Sequence, residues 1–189
     1  MRLLSGLSLV ALLAFIAGCA PAAPPAPATP PAPAAEVKAN LNQIMRGILF
    51  PNSNILFDAQ DQDPGAPPAA GDATATNATA LYAGTYGGWE AVENASMALA
   101  EAANLISLPG LVCQNDKPVT IDDEVYQKGL AALREVSQLA YETAKAKKFD
   151  AMLDVADKVT QACSTCHDVF RDRVVDGKPI GMADRCTKG

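Results

Sequence analysis

Five consecutive residues near the C-terminus, Cys163-Ser164-Thr165-Cys166-His167, carry groups that could act together chemically. Residues three and four positions apart share one face of a helix, so the two thiols and the imidazole would project on the same side. Two thiols can form thioether bonds with the vinyl groups of one porphyrin, and an imidazole nitrogen can bind its iron. This spacing predicts one covalently attached haem c per chain, with His167 as proximal ligand. His167 is the only histidine in the chain.

The same cysteine pair has three other conceivable uses: a thioredoxin-like redox site, half of a zinc site, or a structural disulfide. A redox pair is expected to follow a strand in a βαβ unit, and the sequence indicates no such strand. A tetrahedral zinc site needs more thiol or imidazole ligands than the two other mature cysteines supply. Haem attachment is therefore the favoured interpretation.

Residues 1–18 have the pattern of a bacterial signal peptide, with Arg2 before an apolar run that is too short for a transmembrane helix. The run ends in Ile16-Ala17-Gly18-Cys19, which resembles the lipoprotein cleavage box, although that box more often has Leu at the position of Ile16. The resemblance implies that Cys19 becomes a lipid-carrying N-terminus that anchors the chain on the periplasmic side of a membrane. The alternative is an ordinary signal peptide cut at a nearby alanine.

Residues 19–35 follow as a linker that is almost entirely Ala and Pro, a composition that favours extended polyproline II. Residues 36–189 are predicted to form one domain with its tail. Without Arg2 the chain has 14 basic and 21 acidic residues, so no basic surface for nucleic acid is expected. Few aromatic residues and abundant alanine favour helices.

Apolar residues recur at helical spacing in four segments, which predicts four amphipathic helices. Their buried faces are predicted to run through Val37, Leu41, Ile44 and Ile48, then from Trp89 to Ile106, from Tyr126 to Ala144 and from Met152 to Val169. The first covers residues 36–50 and is ended or kinked by Pro51, with a short continuation through residues 55–59. The second ends near residue 107, and the third runs to about residue 147 with Thr120 as its N-cap. Asp150 is the predicted cap of the fourth helix, and residues 177–189 are predicted to be a polar tail.

The fourth helix would carry the cysteine pair on its buried face, close to its C-terminal end. Four helical faces with short connections, apart from a long loop over residues 60–77, predict an all-α fold: an antiparallel up-down four-helix bundle with its haem site near the end of the last helix.

The chain is similar here to the class II c-type cytochromes, which include cytochrome c′ and its six-coordinate relatives. Cys163, Cys166, His167, Phe170 and Arg171 match that group's haem motif and its aromatic-Arg ending. The resemblance covers about residues 36–173. It implies a periplasmic electron carrier or a binder of small gases, with redox proteins as partners and a capacity to form a homodimer. The long loop, two extra cysteines and the tail depart from the family pattern.

Two functions of different classes follow from the sequence. The first is electron transfer by a six-coordinate haem, and the second is binding of NO or CO at an open sixth position. An enzyme such as a peroxidase is disfavoured, because no histidine remains as a distal acid–base group once His167 binds iron. The iron's sixth ligand distinguishes the first two functions.

The remaining two cysteines, Cys113 and Cys186, are predicted to form a disulfide. Of the five cysteines in the mature chain, Cys19 is assigned to lipid and two to haem, and the compartment is oxidising. Arg46 and Arg171 are candidates for pairing with the haem propionates, since each is beside a residue expected to contact haem. The alternative is that they face solvent.

Met45 is the predicted sixth ligand. It lies about nine residues, or roughly 14 Å, into the first helix, which would run antiparallel to the fourth and bring Met45 level with His167. The family's six-coordinate relatives also use a methionine from the first helix. Met97 and an open iron are the alternatives. Met182 lies in the tail and would have to fold back over the bundle.

Overall fold

A computed structural model describes residues 36–66 and 87–186 and is predominantly helical. Helices α1 and α2 belong to one unbroken helical stretch, joined by a π-helical turn. The elements in chain order are α1 (Leu41–Ile44), the π turn (Met45–Leu49), α2 (Phe50–Asp61), α3 (Gly88–Leu105), α4 (Glu124–Lys145), α5 (Met152–Phe170), β1 (Val174–Val175) and β2 (Lys178–Pro179). No helix in the two described ranges is long and apolar enough to cross a membrane.

The first helical stretch does not end at Pro51, which was one of the two effects predicted for this residue, and the predicted continuation is part of α2. The stretch begins later than expected, where Asn40 and Gln43 form a reciprocal capping box. In the π turn the N–H of Phe50 donates to the carbonyl of Met45, five residues back, and Pro51 then lies in the first turn of α2. The missing N–H of proline is accommodated there because the π turn already interrupts the regular hydrogen-bond pattern of the helix. The helix therefore continues to Asp61 without a break.

The N-termini of α4 and α5 also differ from the predicted ones. The side chain of Asp123, rather than Thr120, caps α4 by accepting hydrogen bonds from the N–H groups of Val125 and Tyr126. Asp150 lies inside a short 3₁₀ turn, Phe149–Ala151, and α5 follows with no side-chain cap. In both places the connection folds into a tight turn before the α-helix begins.

The predicted faces of the last three helices form most of the core, as expected, whereas on the first predicted face only Ile44 is buried and Val37, Leu41 and Ile48 are half-buried. α2 packs against α3 and α5, and α4 packs against α3 and α5. Two serines on these faces, Ser96 and Ser137, are fully buried, and each donates its hydroxyl to the carbonyl four residues earlier. Burial therefore costs little at these positions, because the polar groups are satisfied. The predicted face residues of α3, α4 and the first part of α5 are all buried: Trp89, Val92, Leu99, Ala103, Ile106, Tyr126, Leu130, Leu133, Ala140, Ala144, Met152, Val155, Val159 and Ala162.

The C-terminal tail is folded against the helices rather than extended away from them. Strands β1 and β2 pair as a small antiparallel hairpin, which the sequence did not predict. A 3₁₀ turn, Met182–Asp184, follows. The N–H of Cys186 then donates to the carbonyl of Phe170 at 2.6 Å, and Asn115 donates to the carbonyl of Ala183 at 2.8 Å. The tail therefore covers the C-terminal end of α5.

Candidate functional site

A cavity of about 530 Å³ lies where the π turn, α4, α5 and the tail meet. Its size is in the range of pockets that bind small molecules and cofactors. Residues singled out from four separate parts of the sequence line it together: Met45, Arg46, Cys113, Cys166, His167, Arg171 and Cys186. Two of the nine predicted site residues are not in this set. Cys163 does not line the cavity, and Cys19 lies outside the described residues.

The last turns of α5 supply the thiol and imidazole groups. Cys163, Cys166 and His167 are all half-buried. Burial raises the pKa of both thiols; for Cys166, with a further contribution from the charges of Cys163 and Asp123, the value rises to about 11. Burial, and next the charge of Arg171, lower the pKa of His167. At neutral pH the imidazole is therefore unprotonated, the form in which it can bind a metal.

Gly129 on α4 makes room for Cys166. A β carbon at position 129 would overlap the Cys166 sulfur, so with any residue other than glycine the thiol would have to turn away from this position. Tyr126, one turn earlier, also lines the cavity, and its hydroxyl donates to the carbonyl of Ile106 at 2.9 Å. Its ring meets the ring of Phe170 edge-on at 5.8 Å. These contacts form a rigid, largely apolar wall beside the thiol.

Two methionines line the cavity from different sides. Met45 is half-buried and is the first residue of the π turn. Met182 comes from the folded tail and is 57% exposed. Met97 does not line the cavity, and Met152 is fully buried in the core. Met182 reaches the site because the tail does fold back, the condition that the sequence set for this residue.

Three arginines border the cavity in different states. Arg46 is exposed. Arg171 donates from Nε and Nη2 to the carboxylate of Asp172, and this pair is about half exposed to solvent. That hydrogen bonding lowers the pKa of Asp172 and raises the pKa of Arg171. The third, Arg185, was not identified from the sequence, and its position next to Cys186 was the one available signal.

The predicted disulfide between Cys113 and Cys186 is present in the structure, with Cα atoms 6.1 Å apart. Cys113 is fully buried in the loop before α4, and Cys186 lies at the end of the described tail. The bridge joins segments 73 residues apart and fixes the tail at the cavity's edge.

Within the described ranges, no group of three or more His, Cys, Asp or Glu side chains could hold a metal ion. Comparison of the chain with protein-family models, with curated proteins and with solved structures found no match.

Proposed function

We propose that the chain is a monohaem c-type cytochrome that carries electrons on the periplasmic side of a bacterial membrane. The observation that carries the proposal is the single cavity that collects His167, Cys166, Met45 and two predicted arginines from distant parts of the sequence. The π turn and the end of α5 thus bring together the groups that a haem would use.

The donor groups at this cavity suit a haem. A thiol, an imidazole and a thioether come from α5 and the π turn, and Tyr126, Phe170 and other apolar side chains make up much of the wall. Arg185 also lines the cavity, and a guanidinium group there suits a carboxylate ligand. A bound haem would supply a one-electron couple at its iron.

The chain's own residues have three roles in this proposal. Cys166 at the cavity and Cys163, one turn earlier on α5 and outside the lining, would hold the group covalently, and His167 would bind its iron as a neutral imidazole. Met45 is proposed as the sixth ligand, because it lines the cavity from the π turn, and π turns are frequent at functional sites. With His167 and Met45 both bound, the iron would have no open position for a gas and would change its surroundings little on electron transfer.

The proposed fold is an antiparallel up-down four-helix bundle of the class II cytochrome kind. The pairwise packing of α2, α3, α4 and α5 supports this arrangement. The sequence pattern before residue 36 supports a lipid on Cys19 and hence a periplasmic location. The proposed partners are redox proteins and a second copy of the chain. No enzymatic activity is proposed.

An absorption spectrum tests the proposal. The purified ferric and ferrous proteins would be recorded with and without carbon monoxide. Low-spin spectra that carbon monoxide leaves unchanged are expected if Met45 fills the sixth position. A high-spin spectrum with ready carbon monoxide binding would replace electron transfer with gas binding, and a protein without a haem spectrum would contradict both functions.

A further inference from the structure

Arg185 has a donor that the described structure leaves unused. Its Nε is buried and has no hydrogen-bond partner among the described residues, while Nη1 lies 3.1 Å from the sulfur of Met182. A guanidinium group deprived of water at Nε costs free energy unless a partner satisfies it. Arg185 also lines the cavity, so a molecule bound there would lie against this arginine.

The tail holds Arg185 in place from both sides. Next to it, Cys186 is bonded to Cys113 and donates its N–H to the carbonyl of Phe170. On the other side, Asn115 and Lys117 both donate to the carbonyl of Ala183, at 2.8 and 3.3 Å. These links fix the backbone near Arg185 and keep this residue beside the cavity.

The two other arginines at the cavity are less available to bind a ligand. Arg171 already uses Nε and Nη2 for the carboxylate of Asp172, and Arg46 is exposed to water. Asp172 is close enough to Arg185 for the arginine's charge to lower the pKa of that carboxyl, but it does not hydrogen-bond to Nε of Arg185.

We propose that Arg185 binds a carboxylate of the molecule in the cavity. Under the proposed function, on which this inference rests, that carboxylate is a haem propionate. The disulfide-anchored tail would thus be part of the cofactor site, and Arg185 would take the propionate role that the sequence suggested for Arg46 and Arg171.

Arg173 provides a matched control. Its Nε is also buried without a hydrogen-bond partner among the described residues, but Arg173 does not line the cavity. The variants Arg185→Gln and Arg173→Gln therefore remove the same kind of group, one at the cavity and one away from it.

The experiment measures the midpoint potential of the holoprotein as a function of pH. Ionisation of a propionate stabilises ferric iron, so the potential falls as pH rises through the propionate pKa. A neighbouring guanidinium lowers a carboxyl pKa by about 1–3 units. In Arg185→Gln the fall in midpoint potential should therefore occur at a pH higher by about one unit or more. The pH dependence of the midpoint potential in Arg173→Gln should match that of wild type.

Thermal unfolding first establishes that each variant is folded. If Arg185→Gln is not, Arg185→Lys replaces it, and a smaller upward shift is expected because an ammonium group lacks the paired donors of arginine. An unchanged profile in the Arg185 variant, or an equal shift in Arg173→Gln, would overturn the role of Arg185 and leave the proposed function standing. A wild-type protein without covalent haem would overturn both.

Discussion

The backbone of Gly129 on α4 lies so close to the sulfur of Cys166 on α5 that a β carbon at position 129 would overlap the sulfur. The helix pair therefore meets at a glycine beneath one of the two thiols proposed to hold haem. The position of that thiol depends on a residue that has no side chain of its own.

Gly129→Ala should destabilise the protein and reduce haem attachment. Alanine normally stabilises a helix relative to glycine by up to about 1 kcal/mol, but here its methyl group would overlap the Cys166 sulfur, which a bound haem would hold in place, and such overpacking costs about 1–3 kcal/mol. Urea unfolding and haem content per chain provide the measurements. The control is Gly47→Ala in the π turn, where no atom lies within 4 Å of the added carbon and no loss is expected. Equal behaviour of the two variants would refute the close contact.

Much of the fold could be predicted because burial of apolar faces is a local, periodic property. The faces that include Trp89, Leu130 and Val159 were predicted from spacing alone and are buried. The disulfide was predicted by assigning the other cysteines first.

The features that were missed depend on contacts between distant parts of the chain. The helix continues through Pro51 after a π turn, in which the N–H of Phe50 donates to the carbonyl five residues earlier instead of four. The spacing of apolar residues does not reveal such a turn. Arg185 and Met182 reach the cavity only because the tail folds back, held by Cys186. The collision at Gly129 likewise arises from the packing of two helices. These are tertiary effects that local propensity does not encode.

Met45→Ala should remove the weak methionine–iron charge-transfer band of the ferric protein. Met182→Ala should keep the band, since the 57% exposed Met182 is placed by the tail rather than by a helix. Met97→Ala, at a half-buried position that does not line the cavity, is the matched control. If the band survives in Met45→Ala and disappears in Met182→Ala, the sixth ligand comes from the tail. If it survives in both, the assignment of a cavity methionine is wrong.

In the variant Tyr126→Phe, the free energy of unfolding should fall less steeply with rising pH in the alkaline range than it does in the wild type. Burial raises the pKa of Tyr126 above its ordinary value of about 10, so the unfolded state releases this proton at a lower pH than the folded state. The contribution of Tyr126 to stability is therefore complete below about pH 10 and is lost as pH rises further. The variant also loses the hydrogen bond to Ile106, about 1 kcal/mol at neutral pH.

Urea unfolding of the holoprotein between about pH 8 and 11 tests this expectation. Tyr141→Phe, at a half-buried position on the same helix, is the control and should retain the wild-type alkaline slope. If the free energy of unfolding falls with pH as steeply in Tyr126→Phe as in wild type, the hydroxyl of Tyr126 does not control stability at alkaline pH.

Replacing both Cys113 and Cys186 with alanine should lower the free energy of unfolding by about 4 kcal/mol, the chain-entropy value for a loop of this length. Reduction of the wild type should have a similar effect, while the double variant should be insensitive to reductant. Thermal unfolding with and without dithiothreitol gives both results. Two free thiols beyond Cys163 and Cys166 in protein from an oxidising compartment would contradict the bridge.

Covalent attachment of haem through Cys163 and Cys166 is the central claim, and a haem stain of a denaturing gel tests it most directly. Wild type and a Cys163→Ala, Cys166→Ala double variant would be produced together in cells that mature c-type cytochromes. The stain should follow the wild-type band after full denaturation and be absent from the double variant. An unstained wild-type band, or a stain that persists without both cysteines, would contradict the claim.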